Sequence, residues 1–170
     1  MPLIRQERTT DADAVTEVLR AAFGRETEAR LVERLRAAAK MTLSLVAEEH
    51  GRVLGHVLYS PIAIDTAAGE RPAIALAPLA VLPAFQRLGI GSALVSAGLA
   101  RLRESHAGRL LVMGEPGYYA RFGFVPASRY GVKSPFPGPE AAFMALELQP
   151  GAFSACAGTA RYGPEFDDLE

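Results

Sequence analysis

The stretch from Leu79 to Leu94, Leu-Ala-Val-Leu-Pro-Ala-Phe-Gln-Arg-Leu-Gly-Ile-Gly-Ser-Ala-Leu, constrains the fold more than any other part of the chain. The apolar run Ala73–Leu82 reads as a buried strand. Pro83 ends it, because proline has no amide hydrogen for a ladder and fixes its own φ. Beyond Gly91 the period changes: Val95, Gly98, Leu99 and Leu102 recur at helical spacing. The order is strand, glycine-bearing turn, helix. The first amides of a helix have no partner inside it, and the dipole there favours negative charge. Gly89 and Gly91 let the backbone approach a ligand with no Cβ in the way, and Arg87 adds a fixed positive charge. Such a turn suits a phosphate or pyrophosphate. The same residues also serve a tight strand-to-helix connection that binds nothing.

Two phosphate-binding patterns are excluded. A Walker loop needs Gly-Lys-Ser/Thr, and this turn has no lysine. A dinucleotide fingerprint needs a third glycine where Leu94 stands. What remains, Gln86-Arg87-Leu88-Gly89-Ile90-Gly91 between a strand and a helix, resembles the acetyl-CoA signature of the Gcn5-related N-acetyltransferase (GNAT) family, Gln/Arg-x-x-Gly-x-Gly/Ala. A second segment adds to the likeness. Tyr119-Ala120-Arg121-Phe122-Gly123-Phe124 is similar to the Tyr-x-x-x-Gly-Phe run that many members carry. Together the two motifs cover Ala73–Phe124, and the tyrosine loop with the late strands resembles the YhbS-like branch of the family.

The rest of the chain is compatible with one enzyme domain over residues 1–150 and a tail over 151–170. Its 170 residues are one domain's worth, and 49% hydrophobic residues suffice for a sizeable core. A net charge of −1 draws it to neither nucleic acid nor an anionic membrane. The single Cys156 excludes an internal disulfide and fits a reducing, cytoplasmic setting. Met1–Thr10 lacks the apolar core of a signal peptide, and the longest uncharged run, Pro72–Gln86, is too short to span a bilayer.

Pro2–Gln6 is a candidate strand. Thr9 or Thr10 suits the cap of a helix whose inner face carries Val15, Val18, Leu19 and Phe23, and Gly24 ends it. A second helix from about Glu26 turns Leu31, Leu35 and Ala38 inward. Met41–Ala47 and Val53–Ile64 read as a hairpin turning through Glu48-Glu49-His50-Gly51. Both faces of the second strand are largely apolar, so it should be central, with His56 either a buried, hydrogen-bonded residue or part of an acceptor cleft. Ala67–Arg71 is a polar turn, Arg109–Met113 a short buried strand and Tyr118–Phe122 a helical turn. Pro126–Glu140 is rich in proline, glycine and serine and long enough to be a lid or substrate-facing loop. Ala142–Leu148 is the last expected strand. Beyond it, the tail, with an acidic end at Glu165–Glu170, offers Phe153, Tyr162 and Phe166 for packing on the domain or a partner.

The resemblance implies an α/β fold with a mixed, splayed central sheet and helices on both faces. It implies acetyl-CoA as co-substrate, with no metal. The pantetheine arm would pair with Leu79, Ala80 and Val81 like an added strand. The pyrophosphate would lie on the amides of Arg87, Leu88, Gly89, Ile90, Gly91 and Ser92. The activity implied is acetyl transfer to a primary amine of a small molecule or peptide. Tyr119 would return a proton to the leaving thiolate, with Tyr118 its neighbouring rival. Partners follow as an amine substrate and at most a second copy of the chain, not nucleic acid or membrane. The chain departs from the family in two places. No asparagine precedes the tyrosine in Val112-Met113-Gly114-Glu115-Pro116, and the motif strand lacks a glutamate for a base. Glu26, Glu28, His56, Glu115 or a water chain remain as bases. The same gaps motivate a second reading, a non-catalytic acyl-CoA sensor or regulatory module.

Overall fold

The computed structural model describes residues Met1–Leu169, so Glu170 of the acidic end lies outside them. The strands are β1 (Leu3–Gln6), β2 (Leu43–Glu49), β3 (Arg52–Thr66), β4 (Gly69–Val81), β5 (Arg109–Met113), β6 (Val125–Pro126), β7 (Val132–Lys133), β8 (Phe143–Glu147) and β9 (Gly158–Arg161). The helices are α1 (Ala12–Phe23), α2 (Thr27–Ala37), α3 (Ile90–Glu104) and α4 (Pro116–Tyr119). The strands form one mixed sheet in the order β1-β2-β3-β4-β5-β8-β6, with β9 on β3 and β7 on β9. The pairs β4–β5 and β7–β9 are parallel. A mixed α/β architecture is what the sequence led us to expect. The chain clusters into two compact units, Met1–Ser60 with Ala77–Arg101, and Pro61–Leu76 with the residues from Leu102 on. Strands β3 and β4 contribute to both.

In the first unit, α1 and α2 are amphipathic and bury Val15, Val18 and Leu19, and Ala29, Leu31, Val32 and Leu35. Phe23 and Ala38, expected inside, are exposed because each stands at a helix end, just before the left-handed Gly24 and at the α2 C-cap. Neither Thr9 nor Thr10 caps α1. The Asp11 carboxylate instead accepts the Arg8 amide at 2.7 Å and a two-pronged contact from Arg5 at 2.7 and 3.0 Å. Strand β3 is buried on both faces from Val53 to Ser60, as a central strand must be. Two glycines seat α3 on β3. A Cβ on Gly55 would lie 3.0 Å from Leu94 Cδ1 and 3.1 Å from the Ala80 carbonyl oxygen. One on Gly98 would overlap the Tyr59 ring, 2.4 Å from its Cε2 and Cζ.

The second unit packs a core of Ile62, Ile64, Ala75, Leu111, Phe143 and Phe153, among others. The tail beyond Leu148 adds a strand that periodicity could not mark: β9 is four residues long and begins at a glycine. It pairs Ala63–Thr66 of β3 with 158–161, and a Cβ on Gly158 would overlap the Asp65 carbonyl oxygen. The polar turn is shorter than expected, since β4 resumes at Gly69. The 126–140 stretch is partly regular, carrying β6, a 3₁₀ turn over Ala127–Tyr130 and β7.

A polar cluster lies inside the first unit. The Glu7 side chain is 2% exposed, and Arg36 Nη2 reaches its Oε2 at 2.8 Å. Ser44 Oγ donates to Glu7 Oε1 and accepts from His56 Nε2 at 2.9 Å. Burial alone would raise the Glu7 carboxyl pKa. Hydrogen bonds from His56 and Ser44, with the charges of His56 and Arg36, outweigh it and hold the group below the usual carboxylate range. A depressed folded-state pKa means the unfolded chain binds more protons, so this contribution is complete above the carboxylate range and is lost as pH falls through it. Glu7→Gln should therefore cost about 1–3 kcal/mol near pH 7. The gap to wild type should close on acidification, as read by melting from pH 7 to pH 3.

Candidate functional site

The glycine turn of the first unit is built from its flanks inward. Strand β4 ends at Val81, and Pro83–Phe85 forms a 3₁₀ turn. The Gln86 side chain donates to the Val81 carbonyl at 2.9 Å and ties the turn to the strand end. The motif alone gave Gln86 no role of its own. Arg87 and Gly89 hold φ of +63° and +88°. The left-handed conformation costs a side-chain-bearing residue about 1–2 kcal/mol, and such residues concentrate at ligand clamps. Gln86 to Gly89 are exposed, and Leu88 presents 63% of its surface. Helix α3 then starts at Ile90, with Ala93 N–H bonding the Gly89 carbonyl at 3.0 Å. The turn therefore projects into solvent directly ahead of the amides of a 15-residue helix.

Strand β4 has a second relevant feature. Its parallel ladder to β5 comprises Ile74↔Leu110 and Ala75↔Leu111, and Pro78 further along has no N–H to give. Ala80 is buried, while Leu79 and Val81 are half-buried. Leu79, Ala80, Val81 and Arg87 to Ser92 thus share the first unit.

Tyr119 belongs to the second unit, on the last residue of α4. Its ring is clamped edge-on by Tyr118 at 5.0 Å and Phe124 at 5.5 Å between centroids. A Cβ on Gly114 would sit 2.4 Å from Tyr119 Cε2, so Gly114 makes room for the ring. Sequence reasoning passed over it as a loop glycine. The residue is 8% exposed, yet among the described residues its hydroxyl has no hydrogen-bond partner. Burial, with a smaller contribution from Tyr118, pushes its pKa well above the usual tyrosine value, so the phenol keeps its proton at neutral pH. Tyr118 is half-buried, with the Arg121 guanidinium 4.4 Å from its ring centre.

The four side chains considered as bases separate by environment. Glu26 pairs with Arg20 at 2.7 Å. Glu28 is 6% exposed and takes both prongs of Arg25, at 2.9 and 2.5 Å. His56 is fully buried and held by Ser44. Glu115 is exposed, without an ion pair among the described residues, and its carbonyl accepts the Tyr118 and Tyr119 amides at 3.1 Å. No group of three metal-binding side chains occurs among the described residues, and no helix there is long and apolar enough to cross a membrane.

Comparison with known proteins decides the family. Residues 3–127 match the family model described as an acetyltransferase (GNAT) domain. The chain belongs to the GNAT family. It is an acetyl-CoA-dependent N-acetyltransferase by that membership. It is similar to the uncharacterized N-acetyltransferase YhbS of Escherichia coli, 34% identical over 97% of this chain and 98% of the relative. The crystal structure of E. coli YhbS with CoA superposes at a TM-score of 0.92 over 99% of this chain and 93% of that one. A GNAT acetyltransferase from Brucella melitensis, solved with acetyl-CoA, is 38% identical, with a TM-score of 0.82 over 98% and 99% of the two chains.

The clamp on Tyr119 generates a test of this site. Gly114→Ala should displace the ring and cost about 1–3 kcal/mol, as overpacking does. Differential scanning calorimetry checks it; an unchanged melting temperature would mean the ring moves freely.

Proposed function

We propose that the protein binds acetyl-CoA through its first unit and transfers the acetyl group to a primary amine, with Tyr119 as the acid. The observation that carries the reading is a Tyr119 ring that is buried while its hydroxyl has no protein partner and is not among the buried polar atoms, on a motif whose position in the family belongs to the acid. The fully buried Tyr59 hydroxyl is instead occupied by the Val95 carbonyl at 3.3 Å, as packing tyrosines ordinarily are.

The residues fit the co-substrate. The amides of Arg87 to Ser92, the Arg87 guanidinium and the α3 dipole suit a pyrophosphate. Leu79, Ala80 and Val81 suit an amide-bearing arm as an added strand. When bound, acetyl-CoA supplies an acyl thioester whose leaving group is a thiolate. Tyr119 holds the proton that a thiolate accepts, and its raised pKa keeps that proton in place until the thiolate forms. The attacking amine must lose a proton. Glu115, exposed and unpaired on the tyrosine's own loop, is the carboxylate we assign to receive it, directly or through water. The free thiol Cys156 is buried, and a cytoplasmic location suits it.

Two measurements test the reading. Gly91→Val should abolish acetyl-CoA binding by calorimetry while the melting temperature is kept, because the added branch stands where phosphate oxygens approach. Unchanged affinity in a folded variant would remove the cradle. Tyr119→Phe should lower turnover by about 10²–10⁴ with acetyl-CoA affinity nearly unchanged. Tyr118→Phe is its control, and a defect there alone would move the acid to Tyr118. Acetyl-CoA binding without turnover of any amine would favour the sensor reading.

A further inference from the structure

The second unit contains a cavity of about 420 Å³ that the cradle and Tyr119 do not use. Its floor is the end of the β5–β8 ladder, the pair Met113↔Phe143. One wall is β7, where Val132 and Lys133 are held by parallel pairing to Gly158 and Thr159 of β9. Phe136 forms another, its amide fixed to Ser134 Oγ at 3.0 Å. Glu140 contributes from the turn that ends at Ala142. Gly114 N–H bonds the Ala142 carbonyl at 2.9 Å, and Gly114 is the residue whose Cα faces the Tyr119 ring. That hydrogen bond joins the Glu140 turn to the tyrosine loop, and Met113 stands one residue from Gly114.

The chemistry of the lining is specific. Lys133 and Glu140 both border the cavity, and among the described residues neither has an ion pair. They are therefore more than 4 Å apart and do not neutralise each other. Two unpaired opposite charges beside Val132, Phe136, Phe143 and Met113 match a molecule with an anion, a cation and an apolar body. The volume is at the small end of the ~300–1,000 Å³ of ligand pockets, too small for a folded partner or a long peptide.

Resting on the reading above, we propose that this cavity is the acceptor site and that the acceptor is a free amino acid with an apolar side chain. Its carboxylate faces Lys133 and its amine faces Glu140 and the tyrosine loop. Its side chain lies against Phe136 and Phe143. The bound ammonium first gives one proton to Glu115 or water; the neutral nitrogen then forms the new bond to the acetyl carbon, the carbon–sulfur bond breaks, the thiolate takes the Tyr119 proton, and the second proton leaving the nitrogen returns Tyr119 to the phenol through water.

The test is thiol release from acetyl-CoA with L-phenylalanine, L-phenylalaninamide, phenethylamine, spermidine and a lysine-containing peptide as separate acceptors. Phenylalanine should exceed the amide and phenethylamine by at least about tenfold in kcat/KM, the scale of one lost charge-assisted hydrogen bond. Lys133→Ala should raise KM for phenylalanine about tenfold with kcat little changed, bringing its ratio to the amide toward one, and Lys133→Arg should restore the preference. Equal use of phenylalanine and its amide, or a preference that survives Lys133→Ala, overturns the assignment. Turnover of spermidine or the peptide without phenylalanine overturns it while leaving the acetyltransferase reading intact. Silence with every amine overturns it as well, and absence of acetyl-CoA binding by calorimetry then removes the cradle reading too.

Discussion

The close seat of α3 on β3 is the contact on which the first unit depends. Helix and strand backbones approach because Gly55 and Gly98 present no side chain where they meet. At Gly55 the space goes to Leu94, Ile90 and the Ala80 carbonyl; at Gly98 it goes to the Tyr59 ring. A helix seated this rigidly has its first turn in a defined place, and that turn is where the exposed Arg87–Gly89 segment leads. The left-handed residues can then be held by their surroundings, with Gln86 tied to Val81 on one side and α3 anchored on the other. Preorganisation of this sort lowers the ordering cost of binding a flexible anionic ligand.

Polar groups inside the first unit follow the rule that burial demands partners. Glu7, Ser44, His56 and Arg36 form a connected set, and Arg5 bridges Asp11 and Glu48 at 2.7–3.0 Å. These groups hold β1, β2, β3 and α2 together and are occupied in doing so. His56 is held within this set, while Glu26 pairs with Arg20 and Glu28 with Arg25. The Tyr119 hydroxyl presents the opposite pattern. The ring is buried, and the hydroxyl, which is not among the buried polar atoms, makes no protein hydrogen bond, so it is left available to a ligand or water.

The second unit shows how a loop-rich stretch becomes an ordered wall. The 126–140 region has the composition of a flexible connector, yet β7 is fixed by β9, and β9 in turn is paired with β3. Lys133 from β7 and Glu140 from a 3₁₀ turn of the same stretch thereby border one cavity with the more distant Met113 from β5.

The sequence by itself determined the strand–turn–helix unit, the two amphipathic helices, the central position of β3 and the family motifs. Each rests on local signals: Pro83 and Gly24 as stops, a helical period after Gly91, and apolar residues on both faces of β3. Gly55 was visible as a break in its strand and Gly98 as one position of the helical period, but what they admit could be seen only once β3 and α3 were side by side. The tertiary structure alone decided the rest. It made Asp11 the start of α1 through Arg5 and Arg8, enclosed His56 with Ser44 and Glu7, and placed β9 between β3 and β7. It also emptied the space at Gly114 for the Tyr119 ring and left the hydroxyl without a partner. These outcomes depend on which distant residues meet. Periodicity and capping rules read neighbours along the chain and carry no information about such meetings.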